Sequence, residues 1–182
     1  MKEIAIIYLL PEEVSNYYQE LRHKIAERFG LEYNHNVPAH ITLKYGFPIE
    51  NFDEVERVIQ EFCVSQPKAK WELHDFKYFT NPDKNVVFID AKPSKNIRKV
   101  HASLLDNLKK INWVQWGQFD SANLHYHVTL ASKGITSEIF EEVWSFLNQL
   151  VKPNYEVNFD NLAIFRIDIE PPIVYKTYRF PN

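Results

Sequence analysis

Two four-residue strings, His40-Ile41-Thr42-Leu43 and His127-Val128-Thr129-Leu130, each put an imidazole and a hydroxyl two positions apart, about half of the 182-residue chain from one another. Each string lies in an apolar, β-branched run that reads as a strand, on which residues two apart project to one face. Imidazoles titrate near neutral pH, so one of a pair can hold a proton while the other accepts one. Around a phosphodiester, one His would deprotonate the attacking oxygen and the other would protonate the leaving oxygen. Thr42 and Thr129 would hold the non-bridging oxygens, with Lys44 near the developing charge. This chemistry needs no metal and no cofactor.

Other side chains gather around the same face. His125 lies two before His127; no Asp, Glu or Cys at strand spacing completes a metal set, so it reads as a substrate-side or supporting residue. Tyr8 and Asp90 occupy equivalent places in two apolar strands and are placed to orient an imidazole. Phe47, Phe79, Phe165 and the loop Asn112 to Leu124, with Trp116 and Phe119, offer faces on which a base could stack. Lys133 and Arg166 are candidates for a second phosphate. His23, His35, His74 and His101 read as structural or solvated.

The elements that must carry these residues repeat. Ile4 to Leu10 is an apolar run ending at Pro11, and a helical stripe from Val14 to Phe29 follows, closed by Gly30. After the His40 strand, Asn51 and Glu54 resemble a capping pair before a second helix, and Trp71 to Phe79 is strand-like. The turn cluster Thr80 to Asn85 ends this half. The pattern then recurs: a run Val86 to Ala91, a helix with Ile97, Val100, Leu104 and Leu108 on its stripe, the strand His125 to Ser132, a helix capped by Thr136 or Ser137, and a strand from Tyr155 to Ile167. A last strand, Ile173 to Phe180, closes the chain. The expected fold is α+β: one domain over 1–182 of two duplicated β-α-β-α-β lobes, roughly 1–85 and 86–182, related by an approximate two-fold. Two antiparallel sheets would face each other with helices outside.

Composition limits the partners. Lys and Arg number 21 against 24 Asp and Glu, a net charge of −3 that argues against a protein that coats nucleic acid broadly. The single Cys63 excludes an internal disulfide and fits a reducing, cytoplasmic setting. The apolar run before Pro11 is too short to span a membrane. A monomer acting on an RNA end or a small nucleotide is expected.

The paired His-x-Thr-Leu strings, with Phe79-Thr80-Asn81-Pro82 before Val86-Val87-Phe88 and with Leu162-Ala163-Ile164-Phe165-Arg166 before Tyr175, resemble the 2H phosphoesterase superfamily, which includes 2′-5′ RNA ligase-like proteins and cyclic phosphodiesterases. The resemblance covers nearly the whole chain. It implies the bilobal fold, His40 and His127 as the catalytic pair, Thr42 and Thr129 as the phosphate-holding pair, and a 2′,3′-cyclic phosphate or 2′-5′ linkage as substrate. It is also compatible with ligation, or with a module that binds nucleotides without turnover. Ser132-Lys133 stands where the bacterial ligase-like branch tends to have Arg, and Tyr126 where it often has Pro.

Overall fold

The run that opens the chain forms strand β1 (Glu3–Leu9), whose residues 4 to 8 are all buried, as the absence of polar alternation requires. The structure, a computed structural model, describes residues 2–67, 69–81 and 84–181. The chain continues as α1 (Glu12–Phe29), β2 (His40–Pro48), α2 (Phe52–Cys63), β3 (Ala69–Asn81), β4 (Lys84–Pro93), α3 (Lys95–Leu108), β5 (His127–Ala131), α4 (Ser137–Gln149), β6 (Asn154–Phe159), β7 (Asn161–Arg166) and β8 (Ile173–Arg179). Pro82 and Asp83 of the expected turn lie outside the described residues.

Local signals set the helix ends. Gly30 takes φ 66° after α1, a left-handed conformation that glycine adopts without steric cost. The Asn51 side chain accepts from Glu54 N, and Thr136 accepts from Ile139 N. Ser94 caps α3 in the same way.

The eight strands form two antiparallel four-stranded sheets, in the orders β2-β1-β7-β8 and β5-β4-β3-β6. The expected split at 85/86 therefore does not follow the sheets. Strand β3, from the first half, pairs with β4 and β6, and the C-terminal hairpin β7–β8 completes the sheet of β1 and β2. The expected single strand from Tyr155 to Ile167 is interrupted at Asp160, where the chain passes from one sheet to the other. Alternation along a strand shows which residues share a face but not which sheet they join, and here pairing is decided by distant segments.

One main core joins the helices to the inner faces of both sheets, and the rings of Tyr8, Trp71 and Phe159 meet within it. The opposite faces carry His40, Thr42, His127 and Thr129, while Ile41, Leu43, Val128 and Leu130 of the same strings belong to the core. Strand β2 changes its facing as it runs: Ile7 pairs with Thr42 but Ile6 with Lys44, so Leu43 to Lys44 contains a bulge, and a second register shift follows before Phe47. An extra residue in a strand reverses the facing of every residue beyond it.

Candidate active site

The two strings lie on the outermost strands, β2 and β5, which are in contact with each other where the sheets meet. His40 and Thr42 share one face of β2, and His127 and Thr129 one face of β5; all four are partly buried between buried apolar neighbours. Their imidazoles are held alike. Nδ1 of His40 is 2.8 Å from Pro38 O, and Nδ1 of His127 is 3.1 Å from His125 O. A carbonyl only accepts, so each Nδ1 carries the hydrogen and each Nε2 is left for proton transfer.

Aromatic rings support both imidazoles. Phe165 lies 5.1 Å from His40, centroid to centroid, while Phe88 and Phe79 lie 5.0 and 5.3 Å from His127. Burial among them lowers the pKa of both, because the charged form loses its water. The carbonyl bonded to each Nδ1 opposes this in part, and smaller charge effects follow: Arg22 and His127 lower His40, while on His127 the lowering by His125 is opposed by Asp90.

Helices from opposite halves fix the two strands. From α1, the Tyr18 hydroxyl donates to Thr129 O at 3.0 Å and Arg22 Nε to Leu130 O at 3.2 Å. From α3, Nε2 of the buried His101 donates to Leu43 O at 2.6 Å, and its Nδ1 lies 2.6 Å from the Tyr126 hydroxyl, which also reaches Ala122 O at 3.0 Å. Burial pushes the His101 pKa down to about 4, so it serves as a neutral clamp.

A cavity of about 900 Å³ opens beside the two strings, lined among others by Thr42, Tyr45, Phe79, Phe119, His125, His127 and Thr129; His40 is not among its lining residues. Phe119, at 57% exposed, stands 5.5 Å from the Tyr45 ring on the rim. Its loop is pinned by Asp120, whose carboxylate accepts from Lys44 Nζ at 2.9 Å, Tyr45 N at 3.1 Å and Gly117 N at 2.7 Å. Asp90, beside His127 in the β4–β5 register, accepts from His125 Nε2 at 2.6 Å.

Several expected contacts are not brought to this cavity. Lys44 is buried on the core side with Asp120, its Nζ 4.6 Å from the Phe47 ring and 5.0 Å from the Trp116 ring, because the bulge exchanges its facing with that of Tyr45. Phe47 is fully buried in the main core. Tyr8 pairs with Ile41 and so faces the core, its hydroxyl donating to Asn158 O at 2.6 Å; it is Leu9 that pairs with His40. Lys133 is exposed and paired with Glu32. Arg166 is held bidentately by Asp168, at 3.0 and 2.6 Å. Ser121 and Asn123 line the cavity from the expected loop, whereas Tyr45 lines it without having been expected there; only the bulge could have pointed to Tyr45, and it leaves no mark in the residue pattern.

Among the described residues, no group of three or more His, Cys, Asp or Glu is arranged to hold a metal ion, and no helix is long and apolar enough to cross a membrane.

Residues 10–169 match the family model for the 2′-5′ RNA ligase superfamily. No curated protein matches the chain in sequence. The fold is shared with TT0787 of Thermus thermophilus (16% identity, TM-score 0.69, covering 99% of this chain and 98% of that one). It is shared with apo LigT of E. coli (13%, 0.66, 100% and 98%) and with Usb1 of Kluyveromyces marxianus (14%, 0.52, 99% and 98%).

Proposed function

The chain belongs to the 2′-5′ RNA ligase superfamily, and from that premise we propose that it is a phosphodiesterase acting on a 2′,3′-cyclic phosphate or a 2′-5′ linkage of RNA or a nucleotide. The observation that carries the reading is the matched fixing of His40 and His127, each with Nδ1 spent on a carbonyl and Nε2 free. One imidazole takes the proton of the attacking oxygen and the other delivers a proton to the leaving oxygen, while Thr42 and Thr129 donate to the non-bridging oxygens. Proton transfer by the pair is complete without a metal. Phe119 on the rim offers a face for a base, and LigT has been crystallised with 3′-AMP. On the same reading the protein is a cytoplasmic monomer of one domain.

The test is a panel of 2′,3′-cyclic nucleotides and 2′-5′ dinucleotides followed by phosphorus NMR, with His40→Ala and His127→Ala as controls. Turnover of one class, absent from both variants, is expected. Saturable binding of every ligand with none converted would make the protein a nucleotide-binding module instead.

A further inference from the structure

We propose a second anion site on the β3–β4–β5 face, formed by Lys77, His74 and His125 around the Asp90 carboxylate, for the phosphate one backbone step from the reacting one. It rests on the phosphodiester reading of the His40/His127 pair and specifies the substrate: a nucleotide carrying a second phosphate, as at an oligonucleotide end.

The sheet is built to gather these groups. His74 pairs with Asp90 and Lys77 with Phe88, with a register shift between His74 and Phe76. Residues three apart on a regular strand point to opposite faces; the extra residue, Asp75, brings His74 and Lys77 to the same one. Asp75 has φ 61°, a left-handed conformation that costs energy outside glycine, and it alone among the described non-glycine residues has positive φ. Its carboxylate accepts from Phe76 N at 2.8 Å and pairs with Lys152 at 3.1 Å, which holds the bulge in place.

Asp90 is the hub. Its carboxylate is 8% exposed and takes His125 Nε2 at 2.6 Å and Lys77 Nζ at 2.7 Å, with His74 Nε2 at 3.6 Å, too long for a hydrogen bond. The three cationic or protonatable side chains around it remain 40 to 45% exposed. One carboxylate does not use up their donors: Lys77 has three N–H groups and spends one here. The cluster therefore presents unspent donors to solvent, fixed in position by a buried acceptor.

Its location matches its proposed ligand. Of the four residues His125 alone lines the cavity, so the cluster lies at its edge through His125, and two residues along an extended chain separate His125 from His127 by about 7 Å, comparable with the spacing of successive phosphates on a nucleotide backbone. Arg166, another candidate for a second phosphate, is held bidentately by Asp168.

Isothermal titration of the full chain with adenosine 3′,5′-bisphosphate and adenosine 3′-monophosphate tests the site. The bisphosphate should bind at least about tenfold more tightly, the scale of one added charge-assisted hydrogen bond. Lys77→Met should bring the ratio close to one, Lys77→Arg should keep it, and Lys133→Met should leave it unchanged, which separates a built site from general charge. Equal affinity in the unaltered protein, or a preference that survives Lys77→Met, overturns the proposal. Turnover is measured separately: a preserved preference without turnover sinks the catalytic reading alone, and turnover without a preference sinks the second site alone.

Discussion

His40 and His127 are bound through the same ring nitrogen to a carbonyl two residues upstream, Pro38 O in one case and His125 O in the other. In one half the accepting residue is stiffened by its own pyrrolidine ring, and in the other by the bond from His125 to Asp90. Two unlike devices thus leave the same nitrogen free on two strands.

Replacing either imidazole should remove turnover without unfolding the protein. His40→Ala and His127→Ala are each expected to lower kcat by about 10² to 10⁴, and the double variant should be hardly worse, since the two act as a unit. Single-turnover kinetics with circular dichroism checks this. Near-normal rates in either variant would contradict it.

The pH profile should be bell-shaped with its maximum on the acidic side. Both imidazoles have pKa values below the ordinary 6.5, so above that pH both are neutral and no acid remains. kcat/KM should then rise as pH falls through 6.5 and drop again once both are protonated, the two limbs belonging to the coupled pair. A bound phosphate favours protonated imidazole, so the limbs of kcat should lie at higher pH than those of kcat/KM. A kcat/KM still climbing above about pH 7.5 would exclude this assignment.

Removing one partner of the buried Lys44–Asp120 pair should be costly. Asp120→Ala strands an ammonium in the core, with an expected loss of about 3 to 5 kcal/mol, and frees the loop that carries Phe119, raising KM for nucleotides. Replacing both partners, as in Lys44→Met with Asp120→Leu, should recover stability but not KM. Denaturant unfolding and steady-state kinetics separate the two effects.

His101 should make folding sensitive to acid. Its folded pKa of about 4 lies below the unfolded 6.5, so the unfolded chain takes up its proton first. The contribution of this group is present above pH 6.5 and is lost as pH falls toward 4, on the order of 3 kcal/mol in all. Urea unfolding from about pH 7 to about pH 4.5 should show a steeper decline in the parent protein than in His101→Gln.

Turnover should persist in a strong chelator, because the proposed proton transfers involve only the two imidazoles. Loss of activity restored by added zinc would redirect attention to His125 and His127.

The sequence displays the site at the scale of single strands. Period-two alternation is enough to put His40 with Thr42 and His127 with Thr129, and to set Asp90 on their side of β4. It fails wherever the count is broken: the bulge after Thr42 sends Lys44 inward and Tyr45 outward, and the one at Asp75 gathers His74 with Lys77 although His74 reads as merely solvated. Tyr8 and Asp90 hold equivalent positions within their apolar runs, yet pairing makes Leu9 the counterpart of Asp90 and leaves Tyr8 in the core. Helix ends are legible because a cap is a local bond. The strand exchange between sheets is not, since nothing near β3 or β7 in sequence records their neighbours.

Strands β2 and β5 each end a sheet, where unpaired carbonyls ordinarily invite another chain to add itself and begin aggregation. Here Tyr18, Arg22 and His101 already occupy Thr129 O, Leu130 O and Leu43 O. The bonds that hold the strands of the two imidazoles also blunt these two borders, so weakening a clamp should cost the protein its solubility as well as its geometry.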